Sequence, residues 1–113
     1  MKNIKVENDT YVDIKPVREA FGTAYLAILE AINEYLIVKK GFIRKELPKS
    51  VEAYRDLFKK YFTAHNGKFM REFDKLYDTL HIAGYYQGLL YDTTLVKESL
   101  KLAKSFIDKI RVD

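Results

Sequence analysis

The stretch PVREAFGTAYLAILEAINEYLIV, residues 16–38, decides the fold. Its four alanines, Ala20, Ala24, Ala27 and Ala31, recur at steps of four, three and four. Those steps put them on one face of an α-helix. Phe21, Tyr25, Ile28, Ile32 and Tyr35 flank that face, while Glu19, Thr23, Glu30, Asn33 and Glu34 form a polar strip. A seam of small side chains between bulky flanks suits a helix pressed close against its neighbours, either within the chain or across a two-fold dimer interface. On that reading Ala27→Leu over-packs the seam and costs about 1–3 kcal/mol.

Working outward, Pro16 fits a first helical turn, where its missing N–H costs nothing, and Asp13 supplies a carboxylate near that positive end. Residues 1–15 are polar and weakly alternating, an irregular arm open to disorder or to a short strand. Downstream, Gly41 provides a left-handed stop. Lys39–Lys49 is a basic connection that Phe42, Ile43 and Leu47 pin to the body. Ser50 caps a second helix whose apolar face is Val51, Tyr54, Leu57, Phe58, Tyr61 and Phe62, ending at His65-Asn66-Gly67. A third helix runs from Lys68 into the Gly84–Gly88 region with the stripe Phe69, Phe73, Leu76 and Leu80. Each glycine there weakens a helix by about 1 kcal/mol, so the helix frays or another backbone comes close. Thr93 or Thr94 caps a fourth helix with Val96, Leu100, Ala103, Phe106, Ile107 and Ile110 inward. The expected fold is all-α: an antiparallel up-down four-helix bundle over residues 16–113 with an irregular N-terminal arm over 1–15.

At 113 residues the chain is one domain with room for a core. Nine Tyr and seven Phe make it unusually aromatic, and Tyr suits half-buried positions because its body is apolar and its tip polar. With no cysteine, disulfides and thiolate chemistry are excluded. The polar start carries no signal-peptide pattern, and Glu30, Asn33 and Glu34 interrupt the longest apolar run, so a cytoplasmic protein with no membrane partner is expected. A net charge of +4 allows an anionic partner without demanding one. The lysines of the 39–49 loop and the row Lys97, Lys101 and Lys104 read first as solvated faces, which leaves nucleic acid allowed but not favoured.

No catalytic set is visible, and no cofactor or metal is implied. The strongest constellation is the stripe Asp74, Asp78, His81 and Tyr85, whose steps of four, three and four share one α-helical face. Asp78 and His81 at i, i+3 share a divalent metal, form an oriented acid–base pair or, more simply, make a boundary hydrogen bond; three candidate ligands with no second motif do not imply a metal. Tyr85 and Tyr86, with Tyr91, stack on a ring ligand, plug a bundle end or meet a second subunit. Asp78, His81, Tyr85 and Tyr86 are therefore the candidate ligand-binding residues, and His81 is the only candidate for catalysis.

The order of features resembles the HEPN superfamily of helical bundles (higher eukaryote and prokaryote nucleotide-binding). The likeness rests on an Ala-rich first helix, a basic loop and the Leu47-Pro48-Lys49-Ser50 start of an aromatic helix. It continues through His81-Ile82-Ala83-Gly84-Tyr85-Tyr86 and a last helix containing Lys97-Glu98, Ala103 and Phe106-Ile107. The resemblance implies a small bacterial dimer, either an RNase or a non-catalytic partner module. RNase members carry an Arg four to six residues before a His. Here Arg55 precedes His65, and Arg71 precedes His81, by ten. Ten residues span about 15 Å of helix, so the RNase motif is absent. The expected function is a non-enzymatic binding or interaction module, HEPN-like and homodimeric, with a protein or nucleotide-type partner. The alternatives are a degenerate RNase-type or nucleotide-processing enzyme using His81 with Arg71, and a purely structural assembly protein.

Overall fold

The computed structural model of the chain describes residues 5–61 and 67–112. The structure is mostly helical. Strands β1 (Val6–Glu7) and β2 (Thr10–Tyr11) lead into helix α1 (Ile14–Lys40). A 3-10 turn at Arg44–Glu46, helix α2 (Val51–Tyr61) and helix α3 (Lys68–Leu76) follow. Helix α3 runs on as a π-helical segment, Tyr77–Tyr86, before helix α4 (Thr93–Val112). The expected end of the second helix, with Phe62 and His65, lies outside the described residues.

From Lys5 onward the segment expected as an irregular arm is a tight hairpin. Val6 pairs with Tyr11 and Glu7 with Thr10, leaving Asn8-Asp9 as a two-residue turn. Both turn residues have positive φ, 51° and 59°, the combination that Asn and Asp tolerate and that matches strand twist. The hairpin is docked. Tyr11 N–H donates to the Tyr91 carbonyl at 2.9 Å, Thr93 N–H donates to the Asp9 carbonyl at 2.9 Å, and the Tyr11 ring is buried in the core.

Helix α1 starts two residues before Pro16, with Asp13 as its cap: the Asp13 carboxylate accepts from Lys15 N–H at 3.1 Å. It stops at Gly41, whose φ of 72° lets its N–H turn back to the Leu36 carbonyl. Among the described residues α1 is the one helix long and apolar enough to cross a bilayer. The core helix of a soluble protein meets the same criterion, and here Val17, Phe21, Tyr25, Ile28, Ile32, Tyr35 and Leu36 spend that apolar surface on the core.

The alanine seam faces α4 across an open groove. Only Ala31 is buried; Ala20, Ala24 and Ala27 are half-buried and line an open groove of about 620 Å³ between α1 and α4. A tight approach lies on the bulky face. Gly84 of the π segment is buried against Phe21, and a Cβ at position 84 would stand 2.6 Å from the Phe21 ring. The glycine-bracketed region expected either to fray or to meet another backbone does the second at Gly84. At Gly88, with φ of 61°, the chain turns out of the helix.

The remaining elements close around this contact. Ser50 Oγ accepts from Ala53 N–H at 3.1 Å and caps α2 as expected. Asp92, rather than Thr93 or Thr94, caps α4: its carboxylate accepts from Leu95 N–H at 2.9 Å. Helix α3 packs on α2 and α4, and α1 packs on α4 and the π segment. Phe58, Phe69, Phe73 and Phe106 interlock, with ring centroids of Phe58 and Phe73 5.2 Å apart and of Phe69 and Phe106 5.9 Å apart. Arg55 of α2 bridges its own Glu52 at 2.9 Å and Asp74 of α3. In the first connection Phe42 meets the Tyr61 ring edge-on at 5.9 Å and Leu47 is half-buried, whereas Ile43 is exposed.

Gly84→Ala tests the close approach. In an open helix the change gains about 1 kcal/mol, but over-packing against Phe21 costs about 1–3 kcal/mol, so a net drop in thermal midpoint is expected. Phe21→Leu should cost less in the Gly84→Ala background than alone, because the two residues share one space. The groove at Ala27 has room for a larger side chain, so the over-packing penalty moves to the buried position. Ala31→Leu should lower the melting temperature and Ala27→Leu should leave it nearly unchanged.

Candidate functional site

The π segment sets the site. Its turns close i→i+5, so successive turns are wider than in an α-helix. The result is visible around His81. Tyr86, five residues on, meets the imidazole edge-on at 4.8 Å, nearer than Tyr85, four residues on, at 6.2 Å. Tyr77, four residues back, lies at 5.4 Å. From across the interface Tyr25 of α1 stacks on the imidazole at 4.6 Å with the planes 24° apart. Four tyrosine rings thus surround one histidine, and Tyr85 stacks on Tyr86 at 5.4 Å.

Two features of α1 hold the segment there. Gly22 lets the Tyr85 ring lie over the helix, 3.4 Å from where a Cβ would be. Arg18 donates from Nε to the Tyr85 carbonyl at 2.7 Å and from Nη2 to the Tyr86 carbonyl at 3.0 Å. These are carbonyls at a helix C-terminus, where a guanidinium is favoured. The result is a cleft of about 480 Å³ lined by Glu19, Gly22, Thr23, Tyr25, Leu26, His81 and Tyr85.

The expected residues divide. His81, Tyr85 and Tyr86 come together. Asp78 does not join them: it is exposed and no hydrogen bond links it to His81. The i, i+3 geometry that pairs such residues belongs to an α-helix, and the chain here is wound wider. Asp74 is committed to Arg55. Arg71 stands in the first turn of α3 and does not line the cleft. Tyr25, Tyr77, Arg18 and Glu19 were not singled out as site residues. Tyr25 reads in sequence as one more bulky flank of α1, and only the tertiary approach at Gly84 brings it to His81.

Burial governs the chemistry. It pushes the Tyr25 hydroxyl up to about 12, with a smaller contribution from the neighbouring Tyr77. It also holds His81 below its ordinary value, so the imidazole is neutral at pH 7. Among the described residues no three His, Asp or Glu side chains converge to hold a metal ion. What the arrangement offers is a set of ring faces around a neutral imidazole, with one carboxylate on the rim.

These features define a small helical domain with a histidine–tyrosine cleft beneath its longest helix. The chain belongs to the family described as Domain of unknown function (DUF5618), whose profile matches residues 1–112. No curated protein and no solved structure matches the chain.

The lowered His81 value fixes a pH dependence. The unfolded chain binds the proton near pH 6.5, whereas the folded chain binds it only at lower pH. Stability from the neutral imidazole is therefore complete above about pH 6.5 and lost as pH falls from there. The thermal midpoint should decline between pH 7.5 and 5.5, and His81→Gln should flatten that decline.

Proposed function

We propose that this protein is a non-enzymatic recognition module, HEPN-like, that acts as a homodimer and binds its partner through the His81 cleft. One observation carries the reading: His81 stands among four tyrosine rings on the wall of an open cleft instead of being sealed in the core. Tyr85 and Tyr86 remain exposed there. Aromatic side chains with one wet edge are the anchors that binding sites use. A protein side chain or the ring of a nucleotide-type ligand can lie against them. A nucleotide's phosphate finds no cation among the lining residues, which favours the protein partner.

The acid–base alternative lacks partners. Among the described residues no carboxylate hydrogen-bonds His81, and Arg71 does not line its cleft. General acid–base work needs a positioned group within hydrogen-bond reach of the proton it moves.

The up-down antiparallel bundle and the dimer belong to the same proposal. The packing of α1 on α4, and of α3 on α2 and α4, supports the bundle. The α1–α4 groove supports the dimer. Its lining includes the apolar Ala20, Ala24, Ala27 and Leu100; the α1 side carries Glu30 and Glu34, and the α4 side carries Lys104 and Arg111 with Asp108 between them. A surface with one acidic side and one net-basic side complements itself about a two-fold axis.

Light scattering should give twice the chain mass, and Ala24→Arg should reduce it to a monomer with unchanged helix content. For the cleft, a panel of nucleosides, nucleotides, amino-acid amides and small amines should include a binder that shifts the His81 and Tyr85 ring resonances and is recovered unchanged. Turnover of the binder, or no shift from any member, would overturn the reading.

A further inference from the structure

We propose that the His81 cleft takes an alkylated ammonium group, seated against its aromatic and apolar lining with Glu19 balancing its charge. This rests on the recognition reading above and names the chemistry recognised.

The inference begins with charge. Among the described residues Glu19 is the one charged side chain lining the cleft. Arg18, next to Glu19 in the chain, already commits its guanidinium to the Tyr85 and Tyr86 carbonyls. A phosphate or carboxylate would therefore enter a site whose lining holds no cationic side chain to balance its charge, whereas a cation would meet a carboxylate.

The rings point the same way. The face of an aromatic ring carries negative potential and attracts cations within about 6 Å. Here Tyr85 is the exposed ring of the cleft lining, backed by Tyr86, while Tyr25 is buried and stacked on His81. A protonated imidazole among them would oppose a cation, but burial keeps His81 neutral at pH 7.

The remaining lining selects the kind of cation. A bare ammonium is strongly hydrated and needs hydrogen-bond acceptors. Beyond Glu19, Thr23 and His81 the walls are Gly22, Leu26 and ring surface. Methyl groups on the nitrogen remove that need and match the apolar walls. The net charge of +4 does not prevent approach, because salt screens charges beyond about 8 Å at physiological ionic strength.

The test compares choline with its neutral isostere 3,3-dimethylbutan-1-ol, following the His81 and Tyr85 ring resonances of the full chain at pH 7.5. Choline should bind at least tenfold more tightly. Glu19→Gln should weaken choline several-fold and leave the alcohol unchanged, and Tyr85→Leu should weaken both; each position is exposed, so the fold should tolerate the change. An acetylated trimethyl-lysine amide, run in parallel, identifies the source. Tighter binding than choline assigns the group to a partner protein, and weaker binding assigns it to a free small molecule. Equal affinity for choline and the alcohol, or indifference of choline to Glu19→Gln, would overturn the cation assignment. If neither ammonium compound shifts those resonances but a nucleoside or neutral amide does, the cleft remains a recognition site and the ammonium inference falls alone. If no compound shifts them, both fall.

Discussion

The structure turns on the absence of one methyl group. Gly84 has no Cβ, so the π segment can lie directly on Phe21 of α1. That contact sets the height of the segment over the helix. It places the His81 imidazole on the Tyr25 ring and Tyr85 over Gly22. It also brings the last carbonyls of the segment within reach of Arg18. The contact is apolar and the clasp polar, and together they hold an uncommon backbone in place. A π-helical stretch is poorly favoured by itself and persists where surrounding structure imposes it.

The composition then becomes intelligible. A phenylalanine cluster of Phe58, Phe69, Phe73 and Phe106 fills the interior between α2, α3 and α4. Four of the nine tyrosines, Tyr25, Tyr77, Tyr85 and Tyr86, gather around His81. Tyr25 is the most enclosed of these four, and its hydroxyl resists ionisation accordingly. Lys40 lies over the Tyr35 and Tyr61 rings at 5.9 and 5.3 Å, so the basic connection after α1 is also fastened through aromatic faces.

Much of this was legible residue by residue. The stripes Phe69/Phe73/Leu76/Leu80 and Val96/Ala103/Phe106/Ile110 are α-periodic and buried where that period puts them. Asp13, Gly41 and Ser50 end their helices through chemistry local to each terminus. What was illegible depends on contacts far apart in sequence. Small side chains fit a tight seam and an open groove equally well, so the alanines alone could not tell the core from the rim. A π turn has no hydrophobic signature of its own, which is why an α-helical ruler put Asp78 beside His81. The Asn8-Asp9 turn, by contrast, was there to be read: two residues tolerant of positive φ between Val6-Glu7 and Thr10-Tyr11 are a hairpin signal. Likewise Asp92 outcompetes the threonines after it because a charged acceptor makes the stronger cap hydrogen bond.

The two surfaces proposed for binding meet at one residue. Thr23 lines the His81 cleft on one side of α1 and the alanine groove on the other. A second copy seated in the groove, as proposed, would reach the rim of the cleft, and a ligand in the cleft would border it. When two binding events share a wall, each alters the free energy of the other by the same amount. Helix α1 is unbroken from Ile14 to Lys40 and has its buried face fixed in the core. It can therefore hold both surfaces in fixed register without moving. Coupling between them would then come from direct contact at Thr23 and not from a change of fold.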